Sequence, residues 1–499
     1  MADGFVTLVG AGPGDPGLLT IAAKQAIADA QVVLYDRLVS QEILALARRH
    51  APCIDVGKNM GNHTLPQDQI NRHLLEYAQA GKRVVRLKGG DPFLFGRGAE
   101  ELELLRDHGI PFRVIPGITS ALAVPAYAGI PVTHREYASS VHILTGHGKN
   151  GQSPDVNYPE LAKLNGTLVF LMGLSALEEI CSKLAAAGKS PETPAAVIGN
   201  GTQPQQKRIV ATLTTLPGMV RQADAFPSPA VIVVGAVCAL ADRFDWTHNL
   251  PLFGKRILTV CSHTTGSRLA DRLRKLGCGV DEFAGIAIEP VARDESFWNS
   301  LDRYSWTVFT SQFGAQFFFK GLADHAIDVR RLTTMKFAAI GNRTAEVLAE
   351  RGIFTDFIPD AFNARNLAHG LAERVGKDGR LLLFRAREGN PELADILSSK
   401  GIPFDEVPAY DTFPQRMNHP EIVETLTAGK YDAVAFTSAS SVKAFAAEMQ
   451  RFIACPPLPA VCIGESTAAT AARFNMKTTV ASEASIDSMV DRILIDLGK

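Results

Sequence analysis

Residues 89–92 combine two glycines, a carboxylate and a proline directly after a short apolar run. The run Val84–Leu87 predicts a buried strand, and Glu100–Leu105 predicts a helix beyond the turn. Glycine lets the backbone approach a ligand closely, and proline stiffens the turn. Because ligands of open α/β sheets bind outside the carboxyl ends of the strands, this loop is predicted to hold a ligand. Taken alone, the four residues fit an ordinary strand–turn–helix connection equally well.

Charged residues follow several of the predicted strands. Arg97 and Glu100 lie three apart just after the turn, and Arg37 and Arg135 occupy comparable positions elsewhere. Arginine stays charged and binds carboxylates through two parallel hydrogen bonds, so these residues favour a polycarboxylate ligand. The alternative is solvated surface charge. His147, after a glycine, could join such a site or only cap a turn.

A second glycine- and proline-rich loop, Gly10–Gly17, follows the predicted strand Phe5–Val9. It is not a dinucleotide fingerprint, because Asp15 stands where the third glycine is needed, and no GK[ST] follows to make a P-loop. The loop therefore predicts close approach to a ligand other than a diphosphate. Four groups follow the ends of predicted strands and are therefore expected at the carboxyl edge of one sheet: Pro13, Asp36, Lys58 and Gly89–Asp91.

The composition is that of a soluble globular protein with two to four domains, since the chain has 499 residues, 46% of them hydrophobic. The 51 Lys and Arg residues are balanced by 52 Asp and Glu residues. The chain therefore has no overall charge that would attract nucleic acid or a membrane surface. Seven scattered cysteines without a CxxC pair indicate a reducing cytoplasm and no metal site. We expect no signal peptide and no membrane span, because the longest apolar run, Ala230–Ala241, falls short of about 20 residues.

The second half contains a duplication with an offset of about 125 residues, far longer than a solenoid period. The pattern that begins Leu269-Ala-Asp271 recurs from Leu393, and the later matches keep the same order. Phe-Thr-Ser at 309–311 recurs at 436–438, and Ile-Gly at 340–341 recurs at 463–464. This predicts two similar α/β lobes with a cleft between them, lined by the Thr and Ser residues at the strand ends.

Longer motifs of the first half resemble one family. Between about Phe5 and Ala241 the chain contains GAGPGDPGLLT, VLYDRLV, VGK, INRHLLEYAQAGKRVVRLKGGDPFLFGRGAEE, VIPGITSALAVPAYAGIPVTHR, TGH and FLMG. These motifs are similar to those of uroporphyrinogen-III C-methyltransferases, tetrapyrrole methylases with two α/β lobes. The resemblance implies S-adenosyl-L-methionine in the groove between the lobes, S-adenosyl-L-homocysteine as a product, and a homodimer formed through this half.

Roles for individual residues are implied by the same resemblance. The implied cofactor contacts are Pro13, Gly89, Gly90, Asp91, Leu94, Thr119, Ser120, Met172 and Gly201. The implied catalytic residues are Asp36 as proton acceptor, Lys58 as proton donor, and Arg97 and Glu100 facing the tetrapyrrole. The implied substrate contacts are Arg37, Arg135 and His147.

The second half, about Lys255 to Lys499, resembles uroporphyrinogen-III synthases. The similar segments are RILTV, WTVFTS, AAIGNRTAEVL, GRLLLFRA, PAYDTF, VAFTS and CIGESTAATAA. Tyr410, placed in a turn after Val407, matches the tyrosine thought to assist departure of the hydroxyl group of hydroxymethylbilane. A buried tyrosine in a hinge strand would look the same. Candidates for holding substrate carboxylates, which are also residue types that cap helices, are Thr310, Ser311, Thr344, Thr437, Ser438 and Thr467.

The sequence thus predicts a bifunctional α/β enzyme that makes precorrin-2 from hydroxymethylbilane for sirohaem or cobalamin synthesis. We expect the methylase at residues 1–245 with lobes at about 1–133 and 138–245, a linker at 246–254, and the synthase at 255–499. In the synthase, we expect one lobe at about 255–288 plus 412–499 and the other at about 290–410. The alternative is a methylase of a later corrin intermediate whose second half only binds tetrapyrrole and regulates.

Overall fold

The computed structural model describes residues 4–48, 50–57, 66–148, 155–223, 225–261, 268–376, 379–415, 417, 420–451 and 458–499. These residues form four five-stranded sheets, two in each half of the chain, with helices packed against them. The predicted α/β fold is confirmed.

The first half contains two sheets. Its elements are β1 (Phe5–Gly10), α1 (Ile21–Asp29), β2 (Val32–Tyr35), α2 (Gln41–Leu44), β3 (Cys53–Asp55), α3 (Gln67–Gln79), β4 (Arg83–Lys88), α4 (Gly98–Asp107), β5 (Phe112–Ile115), α5 (Ser120–Tyr127), β6 (Val141–Thr145), α6 (Tyr158–Lys163), β7 (Thr167–Leu171), α7 (Leu177–Ala186), β8 (Pro194–Gly199), β9 (Lys207–Thr212), α8 (Leu216–Gln222) and β10 (Ala230–Val234).

The first sheet is entirely parallel, in the order β3-β2-β4-β1-β5. Its strands are short apolar runs, as expected for strands that are covered on both faces. Because all five strands run in one direction, the loops that follow them meet at one edge. The second sheet is mixed, in the order β6-β7-β10-β8-β9, with β10 antiparallel to both of its neighbours. Helix α5 connects the two sheets, since it starts beyond β5 and packs into the core of the second sheet through Ala121 and Val124.

The second half also contains two sheets. Its elements are β11 (Arg256–Cys261), α9 (Arg268–Lys275), β12 (Gly279–Ala284), β13 (Ile286–Pro290), α10 (Glu295–Asn299), β14 (Trp306–Phe309), α11 (Gln312–Asp324), β15 (Lys336–Ala339), α12 (Asn342–Ala349), α13 (Ala364–Arg374), β16 (Leu381–Ala386), α14 (Glu392–Ser399), β17 (Phe404–Pro414), α15 (Pro420–Thr427), β18 (Ala433–Phe436), α16 (Ala439–Met449), β19 (Ala460–Cys462), α17 (Glu465–Ala472), β20 (Thr478–Val480) and α18 (Ile486–Leu497).

The duplication seen in the sequence is visible in the order of these strands. One sheet has the order β12-β11-β18-β19-β20, and the other has the order β13-β17-β16-β14-β15. In the duplication, β12 corresponds to β17, β11 to β16, β18 to β14, and β19 to β15. Corresponding strands occupy the same relative positions in the two sheets. The chain enters the first of these lobes with β11, builds the whole second lobe, and returns to the first with β18. The two lobes are therefore joined by the neighbouring segments around β13 and β17, which pair antiparallel.

Residues 246–254, the predicted linker, are hydrogen-bonded to both halves. Trp246 Nε1 donates to Ala126 O at 3.1 Å, and Thr247 Oγ1 donates to Tyr127 O at 2.9 Å. On the other side, Leu252 N donates to Leu276 O at 2.9 Å. The predicted domain boundaries stay predictions, but this segment is hydrogen-bonded to the residues on either side of it.

None of the helices in the described ranges is both long and apolar enough to cross a membrane.

Candidate functional site

The loops after β1, β4 and β5 pack backbone against backbone at the carboxyl edge of the first sheet. Gly12 N donates to Gly90 O at 3.1 Å, and Gly90 N donates to Gly12 O at 2.7 Å. A Cβ atom added at Gly117, in the loop after β5, would lie 2.1 Å from Gly90 O and 2.7 Å from the Cα of Gly10. Gly117 leaves no room for a side chain, and Gly12 and Gly90 have positive φ values of 77° and 66°, which favour glycine. The glycines predicted to approach a ligand therefore also hold the three loops together.

Asp91 binds backbone amides with both carboxylate oxygens. Its Oδ1 accepts from Phe93 N at 2.9 Å, and its Oδ2 accepts from Gly117 N at 3.1 Å. Asp91 therefore connects the loop after β4 to the loop after β5. The predicted cofactor contact stays a prediction, and the carboxylate has this additional role in shaping the loops.

The loop after β1 also contacts the second sheet, through residues that the sequence did not single out. Asp15 N donates to Thr202 Oγ1 at 3.2 Å, and Tyr127 Oη donates to Asp15 Oδ2 at 2.7 Å. The pKa of Tyr127 is raised well above its usual value, mainly by burial and secondly by the bond to Asp15. The phenol therefore remains a hydrogen-bond donor. These contacts hold the loop that contains Pro13 against the loop that contains Gly201.

The other predicted cofactor residues lie in the loops after β4, β7 and β8 or at the start of α5. Thr119 caps α5, accepting from Ala121 N at 3.2 Å, and Ser120 is the first residue of that helix. Leu94 packs against the core of the second sheet, and Met172 directly follows β7 with a positive φ of 56°. Gly201 lies against Val124, whose Cγ1 would be 2.3 Å from an added Cβ.

The space beside Gly90 is open, because the nearest atom to an added Cβ lies 4.0 Å away, at Ser120 N. Large apolar side chains surround the edge of the sheet and remain substantially exposed: Leu38, Phe93, Phe95, Ile118, Leu122 and Met172. An open glycine backbone bordered by exposed apolar groups fits a ligand that is partly apolar.

Asp36 lies at the carboxyl end of β2, next to the glycine loop. Its Oδ1 accepts from Gly89 N at 3.4 Å and from Leu38 N at 3.3 Å. Its Oδ2 lies 3.8 Å from Arg86 Nη2. Lys58, the predicted proton donor, lies outside the described residues.

Arg97 and Glu100 form a two-point ion pair. Arg97 Nη2 donates to Glu100 Oε2 at 2.6 Å, and Arg97 Nε donates to Glu100 Oε1 at 3.0 Å. Arg97 has a positive φ of 56° and immediately precedes α4, and both side chains are half exposed. The predicted pair is therefore in contact, with the guanidinium held by one carboxylate.

Arg37 and Arg135 are exposed, and neither makes an ion pair within the described ranges. His147 donates its backbone N–H to Thr145 Oγ1 at 3.2 Å, and its ring Nε2 lies 3.3 Å from Ser175 Oγ. The turn-capping interpretation of His147 is thus compatible with the structure, and the substrate contacts stay predictions.

In the second half, Tyr410 lies inside β17 and not in the predicted turn after Val407. The pairing of β16 with β17 shifts register between Arg385 and Ala386, and this irregularity accommodates the segment without ending the strand. Tyr410 is 6% exposed, and its Oη lies 2.8 Å from Ser311 Oγ. Burial raises the pKa of Tyr410 above its usual value.

Ser311 and Ser438 are equivalent positions of the duplication and have the same local role. Ser311 caps α11 by accepting from Gly314 N at 3.2 Å, and Ser438 caps α16 by accepting from Ser441 N at 3.2 Å. Thr310 and Thr437 precede them and are half-buried, whereas Thr344 and Thr467 are buried in the first turns of α12 and α17. The capping alternative holds for the two serines, and the predicted substrate contacts remain untested.

Two family models match the chain. The model for Tetrapyrrole (Corrin/Porphyrin) Methylases matches residues 6–217, and the model for uroporphyrinogen-III synthase HemD matches residues 267–491. The chain is 44% identical over 497 residues to the porphyrin biosynthesis protein HemD of Ruminiclostridium josui, covering 99% of this chain and 98% of that protein.

Some other relatives are similar over about half of the chain. Siroheme synthase 3 of Aeromonas hydrophila subsp. hydrophila is 55% identical over 243 residues, which cover 49% of this chain and 51% of that protein. A solved structure, uroporphyrin-III C-methyl transferase from Thermus thermophilus complexed with S-adenyl homocysteine, is 40% identical. That comparison covers 48% of this chain and 100% of the other, with a TM-score of 0.42.

The two family matches occupy separate halves of the chain in the predicted order, and one relative is similar along nearly its whole length. The chain therefore belongs to the family of porphyrin biosynthesis proteins in which a tetrapyrrole methylase is fused to a uroporphyrinogen-III synthase.

Proposed function

We propose that this protein converts hydroxymethylbilane to precorrin-2 in two reactions. The second half cyclises hydroxymethylbilane to uroporphyrinogen III with loss of water and inversion of the last ring. The first half methylates uroporphyrinogen III at C2 and C7, with S-adenosyl-L-methionine as the methyl donor. Precorrin-2 then supplies sirohaem or cobalamin synthesis.

The observation that carries the methylase proposal is the meeting of three loops at the carboxyl edge of the first sheet. The loops after β1, β4 and β5 meet there, the space beside Gly90 is open, and Asp36 lies next to Gly89. Backbone amides and carbonyls of such loops can bind the polar ends of a nucleoside and an amino acid, while the exposed apolar residues suit a macrocycle. These features fit the proposed donor and acceptor together.

The proposed donor would be held by the loops containing Pro13, Gly90 and Gly201 and by the start of α5. When bound, S-adenosyl-L-methionine supplies the methyl group and S-adenosyl-L-homocysteine leaves. The chain has to align the acceptor carbon, exclude water, and accept the proton that this carbon loses. We assign the last task to the Asp36 carboxylate, which lies next to Gly89. Arg37, Arg97 and Arg135 would bind the carboxylates of the tetrapyrrole.

The synthase proposal is supported by the contact between Ser311 and Tyr410 at the carboxyl edge of the second lobe. A tyrosine whose pKa is raised keeps its proton at neutral pH, and it can therefore donate that proton to a departing hydroxyl group. The position of Tyr410 in β17, one of the two strands that join the lobes, is consistent with a role near the predicted cleft.

A coupled assay tests both reactions. The full chain is incubated with hydroxymethylbilane and S-adenosyl-L-methionine, and the products are separated by chromatography and mass. We expect uroporphyrinogen III in excess over isomer I when the donor is omitted, and a dimethylated product when it is present. If isomer I alone forms, the second half is not a synthase and the regulatory alternative gains support. If supplied uroporphyrinogen III is not methylated, a later corrin intermediate becomes the substrate to test.

We expect Arg97→Lys to raise the KM for uroporphyrinogen III about tenfold and to leave the affinity for S-adenosyl-L-methionine unchanged. Lysine replaces a planar two-point donor by a single charge, and it also loses one of the two bonds to Glu100. Initial rates against tetrapyrrole concentration measure the first quantity, and calorimetry measures the second.

Arg106→Lys is the matched control, because Arg106 lies in α4, the helix that Arg97 precedes, and is bonded to the exposed Asp107 through Nε and Nη2. This control should leave both constants unchanged. A wild-type KM in Arg97→Lys would mean that Arg97 is only surface charge.

A further inference from the structure

A buried cluster of charges lies between β4 and α4 and was not predicted. Arg86 and Lys88 are two apart on β4 and project to the same face of the sheet, with only 3% and 5% exposed. Both contact one oxygen of Glu101 on α4, which is fully buried. Lys88 Nζ donates to Glu101 Oε1 at 2.6 Å, and Arg86 Nε donates to the same atom at 3.2 Å. Gln67 Nε2 adds a third bond to that oxygen at 3.1 Å.

Such a cluster is unusual in the central strand of a parallel sheet, where apolar residues normally lie on both faces. Apolar groups of similar volume are often as stable as a buried ion cluster, or more stable, so stability alone does not explain its presence. The pKa of Lys88 is lowered, mainly by burial and secondly by the nearby charge of Arg86. Within the described residues, Glu101 Oε2 has no hydrogen-bond partner, so the whole interaction is concentrated on Oε1.

Arg86 connects this cluster to Asp36. Its Nη1 donates to Leu87 O at 3.0 Å, and its Nη2 points towards Asp36, 3.8 Å from Oδ2. That separation is longer than a hydrogen bond, whereas the bond from Arg86 Nε to Glu101 is made. Glu101 therefore holds the guanidinium through Nε, and Nη2 stays at ion-pair distance from Asp36 without a hydrogen bond to it.

We infer that Glu101 is a positioning residue for methyl transfer, which keeps Arg86 from closing onto Asp36. With Arg86 held back, the Oδ2 atom of Asp36 is left available to accept the proton released by the substrate. Without the Glu101 charge, Arg86 would move onto Asp36, occupy that oxygen and draw the carboxylate away from Gly89. This inference rests on the proposed methyl transfer and on the proposed role of Asp36 in it.

The test compares Glu101→Gln with wild type in the full chain, since glutamine keeps the shape and removes the charge. We expect the kcat of uroporphyrinogen III methylation to fall at least tenfold. The KM for the tetrapyrrole and the Kd for S-adenosyl-L-methionine should stay within about twofold of wild type, because neither binding surface changes. The matched control is Glu103→Gln, an exposed glutamate of the same helix, which should leave all three constants unchanged.

A double-mutant cycle shows whether the effect passes through Arg86. Arg86→Met removes the guanidinium, so adding Glu101→Gln to Arg86→Met should lower kcat no further. If the double variant loses the product of the two single losses in kcat, the effect of Glu101 does not pass through Arg86 and the inference is wrong. If kcat, KM and Kd of Glu101→Gln all worsen together with the folded fraction, Glu101 is only structural and the inference is also wrong. Should Glu101→Gln fail to fold, Glu101→Asp takes its place, because aspartate keeps the charge but is one methylene too short to hold Arg86 Nε in the same position. A smaller fall in kcat is then expected, again with unchanged binding constants. Wild-type protein measured in parallel separates the proposals, because absence of any methylation there would refute the proposed function.

Discussion

Gly117→Ala is expected to abolish detectable methyl transfer and to leave uroporphyrinogen III synthesis unchanged. The added Cβ would lie 2.1 Å from Gly90 O and 2.7 Å from the Cα of Gly10. Non-bonded heavy atoms prefer separations of about 3.5–4.0 Å, so the loop after β5 would have to move by roughly 1 Å or more. No flexible side chain can absorb the clash, since both neighbours are backbone atoms.

That movement would disturb all three loops. Gly117 N is one of the two amides bound by Asp91, and Gly90 is bonded to Gly12 in both directions. A displacement of about 1 Å near reacting groups can lower a rate by a factor of about 100. We expect at least this loss in methylation, and at least a tenfold weaker affinity for S-adenosyl-L-methionine by calorimetry.

Gly218→Ala is the matched control, because Gly218 lies in α8 and nothing lies within 4 Å of its added Cβ. It should keep wild-type methylation and donor affinity. The synthase reaction, assayed on hydroxymethylbilane alone, reports whether the second half stays folded in both variants. Wild-type methylation in Gly117→Ala would show that the close packing of the three loops is not needed for the reaction.

The meeting of these loops could be predicted from the sequence, because its causes are local. Short apolar runs ending in glycine and proline define parallel strands, and parallel strands bring their carboxyl ends to one edge. The duplication was equally readable, since the Phe-Thr-Ser and Ile-Gly segments mark strand ends in both lobes. The structure confirms two sheets with equivalent strand order.

The buried cluster could not be predicted, because its cause is tertiary. Glu100, Glu101 and Glu103 look alike in a helical pattern, yet only Glu101 lies over the inner face of β4 and is fully buried. The only available signal was a pair of cations, Arg86 and Lys88, in a strand that otherwise reads as apolar. Similarly, the backbone partners of Asp91 depend on how close the loop after β5 approaches, which no local pattern encodes.

The prediction that Tyr410 lies in a turn was wrong, again because tertiary structure decides its position. Pro408 suggests a break after Val407, since proline removes a backbone donor. In the structure β17 continues past it, because the register shift opposite Arg385 and Ala386 absorbs the irregularity. The side chain of Tyr410 consequently points into a core, where its ring contacts Phe313 and Phe317 with centroids 5.9 Å away in each case.

Tyr410→Phe is expected to lower the kcat of uroporphyrinogen III synthesis about 100-fold and to leave methylation of supplied uroporphyrinogen III unchanged. A positioned proton donor contributes roughly 100- to 10,000-fold to a rate, and phenylalanine removes the donor while keeping the ring contacts. Because burial raises the pKa of Tyr410, its hydroxyl stays protonated from acidic pH through the neutral range. Its own ionisation should therefore produce no loss of wild-type activity between about pH 6 and pH 9, below its ordinary pKa of about 10.

Tyr304→Phe is the matched control, because Tyr304 is a buried tyrosine of the same lobe whose Oη donates to Asp405 Oδ2 at 2.7 Å. It precedes β14 and so lies at the opposite edge of the sheet from Ser311. Tyr410→Phe removes one hydrogen bond, to Ser311, whereas Tyr304→Phe removes two, to Arg303 and Asp405. Because each bond contributes about 1 kcal/mol or more, the control should unfold at a denaturant concentration no higher than that of Tyr410→Phe. Only Tyr410→Phe should lose synthase turnover. If both variants keep kcat within threefold of wild type, the Tyr410 hydroxyl is a structural partner of Ser311, and departure of the substrate hydroxyl is assisted elsewhere in the cleft.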